Sequence, residues 1–352
     1  MIDFMTDQIQ EFLKAVCYRP LKEDWATENE VLFEYQTLRL RLFRNPGARK
    51  TVLILPPQAG HAGTIADYLP DQSLVRVFLE HGYQVAVTEW LPATEEYRNL
   101  GIFDYIRLTD IGIDKVMKAV KARKIALVGQ CQGGWQAAIY ASLYPEKISG
   151  LIVAAAPIDL EAEDSFIGDC SKIPDNCYRM AVQSFNGVMP GGFMLGGFKA
   201  LQPHEHYFNK YFNIWGLCLR EDMQGLERFK RFTNWYESTQ NLPGRFYLEA
   251  VDWIFRKNSL THPGSLVIDQ RSVDLRNIHC PLVLIGGSKD HITPPGQVFA
   301  MERLVSSRRI LKLLSPGGHI GTLMGNQSLK EIWPRAMAFL AGTGQAQDKA
   351  FH

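Results

Sequence analysis

The sequence predicts an α/β fold, a mostly parallel central sheet with helices on both faces and a helical insertion late in the chain. Three observations carry this. Short, largely apolar runs of strand length recur at Thr51–Leu55, Ile125–Val128, Ile148–Ala156 and Pro281–Gly286, as expected of strands buried on both faces. Segments with helical spacing separate them, giving a β-α-β-α-β order with short links. That order stops near Leu160 and resumes after Arg271.

Leu38–Phe43 alternates apolar and basic residues and reads as a half-exposed strand. Thr51–Leu55 ends at Pro56 and Pro57, which close a buried parallel strand. Ser73–His81 carries Leu74, Val77 and Phe78 at helical spacing and is stopped by Gly82. Tyr83–Trp90 reads as a strand and Phe103–Arg123 as a long amphipathic helix. Ile125–Val128 leads into a helix over Gln132–Tyr144, closed by Pro145, and then the strand Ile148–Ala156. From Leu160 to Arg271 there is no convincing buried strand, and the pairs Gly191-Gly192 and Gly196-Gly197 predict loops. Aromatics are dense from Tyr207 to Phe255 at spacings of one, three and four, which predicts packed helices whose rings mostly fill their own core. The sheet pattern returns at Pro281–Gly286 and Arg309–Leu314. The expected organisation is therefore residues 1–159 and 271–352 as two parts of one core, with 160–270 as an inserted helical cap; the polar tail after Gly342 is expected to fray.

Composition narrows the function classes. Hydrophobic residues at 46% and charged residues at 21% suit a soluble globular chain. A net charge of +1 gives no bulk attraction to nucleic acid or to an anionic membrane. No apolar run approaches the roughly 18–20 residues of a membrane helix. The opening residues Met1–Asp7 lack the basic and apolar regions of a secretory signal, so a cytoplasmic location is expected. Cys17, Cys131, Cys170, Cys177, Cys218 and Cys280 then read as thiols, including the neighbouring Cys170 and Cys177. No Cys/His spacing resembles a zinc site, and no metal or bound organic cofactor is implied.

The chemistry centres on Gly129-Gln130-Cys131-Gln132-Gly133, where the strand Ile125–Val128 meets the helix from Gln132. This strand–turn–helix setting is that of the nucleophile elbow of α/β hydrolases, with cysteine in the nucleophile's place. The flanking glycines suit a sharp, strained turn packed closely against its neighbours. At the helix N-terminus the dipole favours a Cys131 thiolate, and the Gln132 backbone N–H becomes an oxyanion donor. In this architecture an acid and then a histidine follow, each just past a late strand. Asp290 follows Pro281–Ile285 and His319 follows Arg309–Leu314, so His319 is expected to be the base and Asp290 the residue that orients it. His291 adjoins the acid and is not the expected base. Asp159, beyond Ile148–Ala156, is a secondary candidate orienter, local bonding near Pro157 being its simpler role. The second oxyanion donor should come from the loop after Thr51–Leu55, with the Gln58 or Ala59 amide as candidates; His61 either lines the pocket or bonds within that loop.

Three segments, Gly129-Gln-Cys-Gln-Gly-Gly134, Asp290-His-Ile-Thr-Pro-Pro295 and Pro316-Gly-Gly-His-Ile-Gly321, resemble the catalytic segments of polyhydroxyalkanoate synthases, especially the short type that works with a partner subunit. The resemblance extends through Leu69-Pro-Asp-Gln-Ser-Leu-Val-Arg76, Gly82-Tyr83 and Glu89-Trp90, and covers about Glu30 to Leu340. It implies a Cys131, Asp290 and His319 triad in which the cysteine carries a hydroxyacyl chain as a thioester taken from hydroxyacyl-CoA. It admits a homodimer or a second synthase subunit as partner, and association with polymer granules. Phe232-Thr-Asn-Trp-Tyr236, Leu242-Pro-Gly-Arg-Phe-Tyr-Leu248, Val251-Asp252 and Ala59-Gly-His61 are instead similar to intracellular polyhydroxyalkanoate depolymerases, which implies a polyester hydrolase as the alternative. The double glycine Gly133-Gly134 favours the synthase. Trp135 stands where synthases place a smaller residue, and its orientation bears on the room left for an acyl chain.

Overall fold

The computed structural model describes residues 2–16, 24–58, 63–201, 204 and 208–342. Eight strands form the central sheet: β1 (Glu30–Tyr35), β2 (Leu38–Phe43), β3 (Lys50–Leu55), β4 (Tyr83–Trp90), β5 (Ile125–Gln130), β6 (Ile148–Ala154), β7 (Leu282–Gly287) and β8 (Ile310–Ser315). Their spatial order is β1-β2-β4-β3-β5-β6-β7-β8. Pairings are antiparallel from β1 through β2 to β4, and parallel from β4 onward. The predicted α/β core is present, with one strand more than the sequence pattern indicated. β1 lies at the sheet edge and is largely solvated, so Glu30–Tyr35 lacks the apolar run that marks the inner strands.

Alternation along the parallel strands builds a core on each face. Val52, Ile54, Ala126, Val128, Val283 and Ile285 share one apolar cluster, while Leu53, Leu55, Ile125, Leu127, Leu282 and Leu284 share the other. Both sets are almost fully buried, which explains why these strands read as continuous apolar runs rather than alternating ones.

Helix α1 (Ile2–Val16) opens the described chain, followed by α2 (Leu74–Glu80), α3 (Ile102–Val120) and α4 (Gln132–Leu143). The Ser73 hydroxyl caps α2 by accepting from the Arg76 amide at 2.9 Å. Nearly every residue of α4 is buried, the signature of a helix enclosed on all sides. Between β6 and β7 the chain is mainly helical: α5 (Phe166–Ser171), α6 (Asp175–Ser184), α7 (Gly191–Leu201), α8 (Lys210–Leu219), α9 (Met223–Glu237) and α10 (Gly244–Glu249), which continues as a wider helical turn over Ala250–Arg256. Short helices α11 (Pro295–Phe299), α12 (His319–Met324) and α13 (Trp333–Leu340) complete the order.

Two expectations for the helical segment need correction. The glycine pairs at 191–192 and 196–197 lie within α7 rather than in loops. Gly191 lets the helix approach the Gln240 backbone, where a Cβ would collide, and Met194 packs against the core, so tertiary contact outweighs the low helix propensity. Val188–Met189 pairs with Leu242–Pro243 in a small buried ribbon, too short to show any periodicity. Most of the described aromatics do pack inward: Trp235 and Phe246 are buried, and Phe229, Tyr236, Tyr247, Trp253 and Phe255 lie partly buried against the apolar clusters, while Phe208, Tyr211, Phe212 and Phe232 are exposed. Tyr207 lies outside the described residues. Trp135 is fully buried and stacks on Phe246 with ring centroids 6.0 Å apart. Its ring belongs to the core and occupies no solvent-facing pocket.

Cys170 and Cys177 are free thiols, as are Cys131, Cys218 and Cys280. Among the described residues no helix is long and apolar enough to cross a membrane.

The elbow glycines are required by close approach. A Cβ on Gly133 would strike the backbone oxygen of Leu55, and one on Gly134 the Ala156 side chain. Gly196 faces open space. Gly133→Ala should therefore cost about 2–3 kcal/mol through overpacking against rigid backbone, whereas Gly196→Ala should stabilise by about 0.5–1 kcal/mol. Urea unfolding of the two variants checks both signs.

Candidate active site

Strand β5 delivers Cys131 straight into a turn. Cys131 has φ 52° and ψ −117°, a region that side chains rarely occupy and that surrounding structure must enforce. Two bonds do so: the Cys131 amide donates to the Ala154 carbonyl at 2.8 Å, and its carbonyl accepts from the Gly134 amide at 2.8 Å. The turn holds the side chain at the N-terminus of α4, half-buried against the apolar core.

Loops beyond β7 and β8 bring the other two groups. The strand pairing continues past their ends: the Ser288 amide donates to the Ser315 carbonyl at 2.8 Å, and the Lys289 amide to the Gly317 carbonyl at 3.2 Å. Gly287 permits this, since a Cβ there would meet Gly317 and Thr322. Asp290 is buried; its Oδ1 accepts from the Ile292 and Thr293 amides, each at 2.9 Å. Its Oδ2 lies 2.8 Å from His319 Nδ1. That contact uses one ring nitrogen and leaves Nε2, and Cys131 lies near enough to act electrostatically on the ring. The three residues singled out from sequence spacing are thus adjacent in space.

Thr293 was not anticipated. Its hydroxyl is fully buried, 2.9 Å from the Ala155 carbonyl, 3.1 Å from Asp290 Oδ2 and 3.2 Å from His319 Nδ1. Donating to Ala155, it ties the acid–histidine pair to the end of β6. A threonine three residues after a buried aspartate is the pattern of a side-chain-closed turn, and that signal was present in the sequence.

Burial alone would disfavour a charged His319, but the fields of Cys131 and Asp290, with their hydrogen bonds, outweigh it and push its pKa up to about 10. The protonated ring is therefore favoured by folding. This stabilisation is complete below the ordinary histidine value of 6.5 and is lost as pH rises through about 10.

Gln58 is the first candidate for the second oxyanion donor, and it is fully buried beside the elbow. Its backbone amide donates to Gln132 Oε1 at 3.0 Å. Its side chain exchanges hydrogen bonds with that of Gln136, at 2.8 and 3.2 Å. Gln240 Nε2, from beyond α9, donates to the Gln58 carbonyl at 3.0 Å. Gln136 and Gln240 were not anticipated. Gln132 and Gln136 stand four apart on an otherwise apolar helix, a spacing that places both on one face. Ala59 and His61 lie outside the described residues.

The remaining candidates lie elsewhere. Asp159 is buried with Asn258 Nδ2 2.7 Å from its Oδ1, and it pairs with Arg303 rather than with His319. His291 is solvent-exposed. A groove of about 550 Å³ is lined by Lys124, Ile148, His279 and Cys280. It lies at the opposite ends of β5 to β7 from Cys131 and Asp290, and burial pushes the Cys280 thiol up to about 11, away from nucleophilic use at neutral pH. Among the described residues no group of three or more His, Cys, Asp or Glu is placed to hold a metal ion.

The His319 shift predicts a measurable titration. In an NMR experiment the His319 ring should remain protonated at pH 8 and titrate near pH 10. Asp290→Asn removes the carboxylate partner and should move the midpoint down by more than one unit, about the size of shift a close carboxylate produces.

Comparison with known proteins agrees with this architecture. The chain is 28% identical over 334 residues to the Poly(3-hydroxyalkanoate) polymerase subunit PhaC of Haloferax mediterranei, covering 92% of this chain and 66% of that protein. It is 27% identical over 316 residues to the subunit of the same name from Allochromatium vinosum, covering 90% of this chain and 86% of that one. Among solved structures it is similar to the monoacylglycerol lipase of Paleococcus ferrophilus, with a TM-score of 0.55, 14% identity, and 88% and 100% of the two chains covered. The fold is that of the α/β hydrolases, and the resemblance to polyhydroxyalkanoate synthases holds along most of the chain. Residues 43–305, well over half of the chain, match one family throughout, and the protein belongs to that family, described as Protein of unknown function (DUF3141).

Proposed function

We propose that the protein is a synthase-like acyltransferase that loads hydroxyacyl groups from CoA thioesters onto Cys131. The observation that carries this reading is the His319–Asp290 pair held beside Cys131 at the elbow, in a chain whose relatives are named polymerase subunits. In the proposed step the Cys131 thiolate attacks the thioester carbonyl and a C–S bond forms. The carbonyl electron pair moves to oxygen and is held by the Gln132 amide. The intermediate then collapses, the C–S bond to CoA breaks, and the leaving thiolate takes the proton held by His319. Asp290 keeps the ring oriented throughout. One thioester replaces another at little energetic cost, so a cysteine suits reversible loading.

Residues 160–270 serve, in this reading, as a cap over the acyl chain. In support, Phe193, Phe208, Tyr211, Phe212, Met223 and Phe232 leave apolar side chains exposed on this segment, more than scattered surface residues would. The segments similar to depolymerases fit a packing role instead: Trp235 is buried with its Nε1 donating to Thr64 at 3.2 Å, and Phe246 stacks on Trp135.

Incubation with 3-hydroxybutyryl-CoA should release CoA and lengthen polymer. Release of soluble hydroxyacid from amorphous polymer, without CoA chemistry, would replace this reading with the hydrolase. Cys131→Ala should abolish activity, and Asp290→Asn should reduce kcat by roughly 10²–10⁴-fold by leaving the histidine misoriented; activity surviving in Cys131→Ala would overturn the nucleophile assignment. Phe212→Ser should weaken sedimentation with amorphous polymer about three- to tenfold, consistent with loss of part of a phenylalanine's buried area, while single-turnover acylation of Cys131 stays near wild type.

A further inference from the structure

We infer that Thr293 is a positioning residue whose hydroxyl serves as a second acceptor for the His319 Nδ1 proton, beside the Asp290 carboxylate. This role deepens the reading of Cys131, Asp290 and His319 as one site and rests on it.

The Thr293 hydroxyl has one proton and three polar neighbours: the Ala155 carbonyl at 2.9 Å, Asp290 Oδ2 at 3.1 Å and His319 Nδ1 at 3.2 Å. A carbonyl can only accept, so the shortest of the three contacts takes the hydroxyl proton. The hydroxyl keeps two lone pairs. Of the two remaining neighbours only the ring nitrogen has a proton to give; the carboxylate has none. Asp290 Oδ1 is taken by the Ile292 and Thr293 amides, so Oδ2 is the oxygen that meets the ring. The Nδ1 proton is thus shared between a charged acceptor at 2.8 Å and a neutral one at 3.2 Å.

The end of β6 holds that neutral acceptor in place. The Ala154 carbonyl accepts from the Cys131 amide at 2.8 Å. The next residue, Ala155, donates its amide to the Ile285 carbonyl at 2.8 Å and accepts from Thr293. Ala155 is fully buried at φ 47°, a strained backbone that its surroundings enforce. The turn carrying the nucleophile and the hydroxyl facing the base therefore hang on successive residues of one strand end. Through that link Thr293 sets where the ring stands relative to Cys131. Its share of the work emerges when the carboxylate is removed. In Asp290→Asn the two backbone amides still require an oxygen, so the NH2 group turns to the ring and offers it no acceptor. Thr293 is then the acceptor left for the Nδ1 proton of a charged ring.

The test is a double-mutant cycle in the full chain, read by NMR titration of the His319 ring, on which Cys131 and Asp290 are the titratable groups that act. Thr293→Val keeps the shape and removes the hydroxyl. With Asp290 present it should lower the midpoint by less than about half a unit. In the Asp290→Asn background it should lower it by about one to two units, the worth of a hydrogen bond to a charged group. Thr293→Ser should keep the midpoint of its parent in both backgrounds. Thr293→Ala repeats the cycle if the valine is poorly accommodated, with the same coupling expected. A hydroxyl that only ties Ala155 would shift neither midpoint, or both equally, and either result overturns the inference, as does a serine that fails to rescue. Alkylation of Cys131 by iodoacetamide, read on its peptide by mass spectrometry, separates the two levels of failure. A reactive Cys131 and a raised wild-type midpoint, with no coupling in the cycle, would overturn the role of Thr293 alone. A wild-type ring titrating at the ordinary histidine value, with Cys131 no more reactive than a free thiol, would overturn the site and the role together.

Discussion

The site depends on one backbone constraint, the left-handed turn at Cys131. A non-glycine residue at φ 52° and ψ −117° persists only where its neighbours leave no alternative, at a cost of order 1–3 kcal/mol. Here Leu55 presses from β3, Ala156 from beyond β6, and the first turn of α4 closes from above; only glycine fits at 129, 133 and 134. Relaxing the turn would move the sulfur, redirect the first amides of α4 and release the register of three adjacent strands. The same close packing that strains Cys131 thus fixes its distance from His319.

Around this rigid point the structure separates polar work from apolar support. Asp290 accepts from two backbone amides and the histidine ring, so its charge is compensated although it is buried. The glutamines form a second network on the other side of the elbow, built of neutral amides joined through Gln58. One of them, Gln240, follows α9, whose Trp235 is itself anchored to Thr64 and edges against Tyr68 at 5.8 Å. The helical segment therefore touches the chain between β3 and α2 through Trp235 and through Gln240.

Much of this was legible in the sequence because the strands are buried on both faces and the three chemical residues each follow such a strand. Apolar runs, glycines and chain order alone led to Cys131, Asp290 and His319, which the fold brings to the same ends of parallel strands. Thr293 and Gln136 carried a local signal, three residues from Asp290 and four from Gln132, but Gln240 could not be assigned, since its partner Gln58 lies far away in sequence and no periodicity names it. The loops expected at Gly191–Gly197 became α7 because glycine propensity is local while the contact with Gln240 is not. The exposed rings of α8 and α9 mark the opposite limit: aromatic spacing reports a helix, but which face is covered depends on what the segment packs against. The edge strand β1 was missed for the plain reason that a solvated strand need not look apolar.

Helix α1 docks away from the sheet. Phe12 meets Trp215 of α8 edge-on at 5.6 Å, and Ala15 joins Ile214, Cys218 and Leu226 in a small separate cluster. Joining Val16 to Lys210 closes a very long loop through few apolar contacts, an arrangement with high entropic cost and little enthalpy to repay it. Such a docking forms late and opens first. Slow amide exchange should therefore mark β5 and α4, while α1 and α8 exchange together as one cooperative unit, so that α1 reports the state of the helical segment rather than of the sheet.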